Sequence, residues 1–341
     1  MSAALPDNVL RTSALPWEPR GWPSGWGSAD KNLSPRFPFV HLGARISELA
    51  PDTQAFPLHW HVFREEHVLV LDGVLTVLER TPDGRRREFP VRTGELVAWP
   101  ANSGIAHACR NRDSRPVRFL AVSDQPGQAV VHYADSGKVW IRALGGPGLW
   151  DGRAPGESAV PPRDPDQVFA QARSARDAAT VQVLGTENRP RHVAGWLLGE
   201  LTLGEPPRCL HGRPLSRHAG ARQVFVNLDR LTPGCHPSPL HRHHSNEELL
   251  LVIAGEPTLR QVSAEGQETR VKLAQDDVVH WAPGGVAHQL LNEGRDDAVY
   301  AVVGTDRADE VTSFPDRGDH YVAALGQVGH FTPRGYLDGE D

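Results

Sequence analysis

The chain carries one long segment twice, and that duplication limits the folds open to it more than any other feature. Displaced by 182 positions, LSPRFPFVHLGARISELAPDTQAFPLHWH (33–61) lies on LSRHAGARQVFVNLDRLTPGCHPSPLHRH (215–243). The register continues through Glu66 on Glu248, Gly73 on Gly255 and Gly84 on Gly266, and after one gap PANSGIAHACRN meets APGGVAHQLLN. The tails YADSGKVWIRALG and FPDRGDHYVAALG correspond as well. A period this long means two copies of one domain, not a solenoid of short repeats.

Inside each copy, short runs of Val, Leu, Ile, Phe and Trp alternate with Gly, Pro, Asp and Asn, which is the punctuation of an all-β domain. Uninterrupted runs such as VLVL and LLLVI call for strands covered on both faces. The repeat divides the chain into an N-terminal extension (1–32), a first domain (33–150), a mainly irregular connecting segment (151–214) and a second domain with its tail (215–341). Within the connection, Asp164 and Pro165 predict one short helix near 166–176.

Each copy concentrates imidazole and carboxylate beside an apolar strand: LHWHVFREEHVLVLDG (58–73) and LHRHHSNEELLLVIAG (240–255). Residues two apart in a strand share a face, so His59 and His61 present both rings to one point while Trp60 turns away. Glu66 follows His61 at an odd separation, so a bend at VFRE must intervene for it to face the same point. His107 arrives from a third strand after the turn PANSG. His241, His243, Glu248 and His288 repeat the set. Three neutral imidazoles and a carboxylate suit Fe, Mn, Ni, Co, Cu or Zn and leave coordination positions open for chemistry. The competing reading is of satisfied core histidines, or of a decaying barrel that has lost its metal.

These stretches, with GELVAWPANSGIAHACRN and DDVVHWAPGGVAHQLLN, resemble the two cupin motifs: His-x-His, then Glu, then Gly, followed by Gly, Pro-x-Gly, His and Asn. The resemblance covers both copies, so the chain looks like a bicupin. It implies two double-stranded β-helix, jelly-roll-like barrels in tandem, with His59, His61, Glu66 and His107 as one metal set and His241, His243, Glu248 and His288 as the other. One divalent transition metal per barrel is implied, iron first, with Mn, Ni, Cu and Zn also suited. Similar three-His-one-Glu cupins make an O2-using dioxygenase the favoured activity, on a small polar organic molecule. In that reading Glu66 or Glu248 can loosen from the metal and act as base. A metal-dependent decarboxylase, an isomerase and a non-catalytic binding protein are the alternatives. LHWH is similar to the oxalate decarboxylases among cupins, but no arginine stands two or four residues before the first His to hold a small dicarboxylate.

Other residues have quieter expectations. Asp276 or Asp277 replaces the motif glycine, as a turn residue that accepts a left-handed backbone. Cys109 faces the interior and fills space, while Cys209 and Cys235 read as unpaired structural thiols, since three cysteines without a CxxC suggest no disulfide framework. Glu65 and Glu247 should point away from the ligands. Asn111 and Asn292 should hydrogen-bond at strand ends, Trp99 and Trp281 should serve the core, and Arg85 to Arg87 should form a solvated turn. His67, His244 and His280 read as core or solvated histidines. A formal net charge of -6 offers no field for a phosphate backbone, so no nucleic-acid partner is expected. No run approaches the roughly 20 apolar residues of a membrane span, and the start lacks a signal-peptide order, so a cytoplasmic protein is expected, with a homodimer open to it.

Overall fold

The computed structural model describes residues 5–21, 26–127, 129–141, 149–150, 192–193, 201–204 and 207–331. The helix expected near 166–176 lies outside them. Among the described residues the molecule is built almost wholly of antiparallel strands. In the first half, a seven-stranded sheet places Leu96–Trp99, Glu66–Asp72, Val117–Asp124 and Leu42–Leu49 side by side. A second sheet faces it, with His59–His61, Ala106–Arg110, Val74–Arg80 and Arg86–Arg92 in that order. The second half repeats this with Asp277–Trp281, Glu248–Ala254, Ala298–Thr305 and Val224–Leu231. The two halves are tandem double-stranded β-helix domains.

The apolar runs are explained by what lies on each side of the inner sheets. Along Glu66–Asp72, Val68 and Val70 enter the core of the first domain, whereas Leu69 joins a different cluster. That cluster also takes Leu96, Leu120 and Val122 from the first half and Leu249, Leu251, Val278 and Val303 from the second. The double cover expected of VLVL is therefore a domain core on one face and the opposite domain on the other. Leu250 and Val252 fill the second domain's own core in the same alternation.

Both domains finish their sheets with a strand from outside the repeat. Val9–Arg11, from the N-terminal segment, pairs antiparallel with Asp277–Trp281 of the second domain. His192–Val193, from the connection, pairs with Leu96–Trp99 of the first. Each added strand occupies an edge that would otherwise expose unpaired N–H and C=O groups.

Glu65 and Glu247 leave their own interiors, as parity requires, but not for solvent. The Glu65 carboxylate accepts hydrogen bonds from the backbone N–H groups of Arg222, Gln223 and Val224 in the second domain. Glu247 accepts from Val40, His41 and Leu42 in the first. The two sets of three residues are equivalent under the repeat, so the contact is a reciprocal clasp about a pseudo-twofold axis. His280 Nε2 lies 2.7 Å from Glu247, and His67 Nε2 lies 3.4 Å from Glu65. These two buried histidines thus belong to the domain junction, while exposed His244 bonds Ser313 at the surface.

The cysteine expectation requires correction. Cys209 and Cys235 form a disulfide, with Cα atoms 5.4 Å apart. A parallel bridge between Arg208 and His236, supported by the His236 N–H donating to Pro207 O, brings two chain segments together that no local motif connects. Cys109 is the free, buried thiol. Alkylation after unfolding without reductant should therefore label Cys109 alone, and reduction should expose the other two. Labelling of all three without reductant would contradict the pairing.

Candidate metal centres

The strand His59–His61 is three residues long and delivers two rings to one side, with Trp60 turned outward to stack on His132 at 4.4 Å. The bend at 62–65 resets the parity, so Glu66 opens the next strand facing inward. His107 lies directly across from His59 in antiparallel register. The distances from Glu66 Oε2 are 3.1 Å to His61 Nε2, 3.2 Å to His107 Nε2 and 3.8 Å to His59 Nε2. In the second domain Glu248 Oε2 lies 3.2 Å from His243 Nε2 and 3.3 Å from His288 Nε2, with His241 bridged to His288. In each set one ligand atom per residue falls within 4.8 Å of all the others. A first-row divalent ion with bonds of about 2.0–2.2 Å fits such a cluster.

The rings are held in the orientation that a metal needs. His59 Nδ1 faces Pro57 O at 2.8 Å and His241 Nδ1 faces Pro239 O at 2.9 Å, so the proton sits on Nδ1 and the Nε2 lone pair points inward. Trp99 stacks on His107 at 3.9 Å and Trp281 on His288 at 4.0 Å, which fixes the third ring from its face. Trp99 in turn donates Nε1–H to buried Glu79, whose other oxygen takes the Arg87 guanidinium. Arg87, exposed like Arg85 and Arg86, is thus tied to the core through Glu79.

Burial and neighbouring groups set the charge of the ligand side chains. Burial, helped by His107 and His61, pushes the His59 pKa down to about 3. Burial and His288 bring His241 to about 3 as well. For Glu66 burial acts upward, but hydrogen bonds from His107 and His61 outweigh it and hold the carboxyl well below 4.5. Glu248 is held low in the same way by His243 and His288. His243 differs: burial opposes its charge, yet Glu248 and Glu310 together raise it to about 9. Cys109 lies among core side chains, and burial with the Glu66 charge lifts its thiol to about 12, so it stays an unreactive filler.

Small motif departures also find their reasons. Gly73 and Gly255 adopt φ of 91° and 80°, and a Cβ on Gly255 would meet Asp297 O at 2.6 Å. Asp276 adopts φ of 68° where the first copy has Gly94 at 80°. Asn111 and Asn292 each tie a strand end to two backbone carbonyls, those of Leu49 and Arg115 and of Leu231 and Asp296.

Sequence reasoning missed several polar groups around the first site. Arg45 Nη2 lies 3.9 Å from Glu66 Oε1, and its guanidinium rests over the Phe56 ring. It comes from Leu42–Leu49, where Leu42, Ala44 and Ile46 serve the junction, so parity turns Arg45 and Ser47 inward. That parity was the available signal. Arg64 adds a second positive charge that bears on His61, and Tyr133 stands in register with His59 with its ring 6.2 Å from the imidazole.

Two stacked-sheet domains, each gathering three imidazoles and a carboxylate in its interior, define a duplicated metal-binding β-barrel protein. The family model for the cupin domain matches residues 45–123 and again 227–304, and the chain is a bicupin. Solved structures of oxalate decarboxylase from Bacillus subtilis share the architecture. One deletion variant matches with a TM-score of 0.58 at 15% identity, over 89% of this chain and 78% of that one. Another structure of the same protein, whose Mn(II) centres were studied by EPR, matches at 0.57 and 16% over the same shares. Likeness at such identity speaks for the fold. No curated protein sequence matches the chain. No helix among the described residues is long and apolar enough to cross a membrane.

Proposed function

We propose that the first barrel is the active site of a metal-dependent decarboxylase acting on a small carboxylate. The observation that carries this reading is Arg45, a guanidinium at the edge of the ligand set whose charge and planar donors suit a carboxylate. Bound at His59, His61, Glu66 and His107, a divalent ion supplies Lewis acidity. Arg45 orients the substrate carboxylate, and Phe56 under the guanidinium holds that donor in place. Loss of CO2 breaks a C–C bond and leaves its electron pair on the remaining carbon, which must take a proton. Tyr133 suits the donor role, because burial raises its pKa above 10 and keeps the phenol protonated. In this reading Glu66 and Glu248 remain ligands, their charge shared with two histidines each, and do not serve as bases.

The dioxygenase reading rests on a ligand set that serves both reactions, whereas the arginine and the oxalate decarboxylase likeness favour decarboxylation. Manganese is accordingly the first metal to test, ahead of iron. Oxalate is the first substrate to test, followed by other small mono- and dicarboxylates. The expected result is CO2 release by Mn(II)-loaded protein without net O2 consumption. Arg45→Ala should lower kcat/KM about 100-fold, the scale of a lost charged hydrogen bond of roughly 2–3 kcal/mol, with partial recovery in Arg45→Lys. Stoichiometric O2 uptake would replace this reading with an oxygenase. Turnover indifferent to Arg45 would remove the carboxylate assignment.

A further inference from the structure

We propose that Glu310 makes the second barrel the tighter of the two metal-holding sites, by fixing His243 and by placing an anionic charge behind that ligand where the first barrel has Ala129. The inference rests on the two ligand sets and not on the decarboxylase assignment.

Glu310 is almost fully buried. Its Oε2 accepts the backbone N–H groups of Ser245 and Asn246, at 2.9 and 2.6 Å. Its Oε1 accepts the Thr312 hydroxyl at 3.0 Å and faces His243 Nδ1 at 2.9 Å. With so many donors converging, the group acts as a pure acceptor, so His243 gives it the Nδ1 hydrogen and leaves Nε2, 3.2 Å from Glu248, as the nitrogen for a metal. A carboxylate behind a ligating imidazole raises the basicity of the ligand and fixes its ring plane. In the first half the equivalent position is Ala129, because Val130 meets Val62 as Val311 meets His244.

The surrounding charges diverge in the same sense. Under the repeat, Arg45 and Arg64 correspond to Asn227 and Asn246, and Tyr133 corresponds to Phe314. A divalent ion in the second barrel is balanced by Glu248 and Glu310 together. In the first, the Glu66 charge is partly offset by Arg45, so the ion stays electron-poor and open to an anion. Entry of metal into the second site displaces any proton on His243 Nε2, but the doubly charged ion feels Glu310 twice as strongly as that proton does. The chain thus pairs one site suited to keeping its ion with one suited to using it.

Equilibrium dialysis with Mn(II) at pH about 8 tests the division in single-site proteins: His61→Ala leaves the second site and His243→Ala leaves the first. The second site should bind Mn(II) at least about tenfold more tightly than the first, and Glu310→Gln in the His61→Ala protein should weaken it about 10- to 100-fold. Glu310→Asp should recover part of the loss, because it restores the charge. Glu310→Gln in the His243→Ala protein should leave first-site affinity unchanged. Equal affinities in the two single-site proteins would overturn the proposal, as would an unchanged second site in Glu310→Gln. If Glu310→Gln does not fold, the comparison of the two single-site proteins still decides. Since no substrate is present, these outcomes are independent of whether the first barrel decarboxylates anything.

Discussion

His61→Ala is expected to abolish metal binding in the first barrel and to cut carboxylate turnover roughly a thousandfold, the effect of losing about 4 kcal/mol of metal-derived charge stabilisation. His61 is one of two histidines within 3.2 Å of Glu66 Oε2, so its loss breaks the donor cluster and leaves an anionic carboxylate with one close imidazole fewer. His243→Ala should remove the other ion and lower thermal stability, yet preserve most of the turnover. Assay of both variants, with metal content measured alongside, checks this. Equal loss of activity in the two would rule out a division of labour between the barrels and would also remove the basis for placing the reaction beside Arg45.

The second large effect concerns the domain junction. Glu65→Ala is expected to destabilise the protein by about 3–5 kcal/mol, because it strips the partner from three backbone N–H groups and from buried His67. A fall in Tm of roughly 4–7 °C should follow. Acid should erode the same contribution. For Glu65, burial acts upward, but His67 and the N–H groups of Gln223 and Val224 prevail and bring the carboxyl below 4.5. Glu247 is lowered likewise by His280 and the N–H groups of residues 40–42. A folded-state pKa below the unfolded value stabilises fully above pH 4.5, and that stabilisation is lost as pH falls through the folded value. The melting gap between metal-free wild type and Glu65→Gln/Glu247→Gln should therefore shrink between about pH 7 and about pH 3.5. A gap independent of pH would mean that the two carboxylates do not carry the clasp as ions.

What was legible in the sequence was what local periodicity controls. The alternation of His59, Trp60 and His61, the bend before Glu66 and the turn before His107 place the first set of proposed ligands on the strands that present them. Asp276 could be read as a left-handed turn residue because Asp tolerates that backbone, and Asn111 and Asn292 as strand-end ties because their side chains bond nearby carbonyls. What was hidden depended on distant segments. Glu65 and Glu247 find their partners 157 to 159 and 205 to 207 residues away, in the other domain. Cys209 meets Cys235 only because residues 208 and 236 pair in parallel. Glu310 reaches His243 from 67 positions later, just ahead of the strand Val311–Phe314. Arg45 was hidden for another reason: it lies far from the histidines in sequence, on a strand that contributes no ligand.

The central claim is that each half of the chain gathers four side chains around one ion. Elemental analysis of protein purified without chelator tests it most directly, since two donor clusters should hold about two divalent ions per chain. The count should fall to about one in His61→Ala and in His243→Ala, and to none in the double variant. Wild-type protein that carries less than about a tenth of an ion per chain, and takes up none from added Mn, Fe, Ni or Zn, would contradict the account.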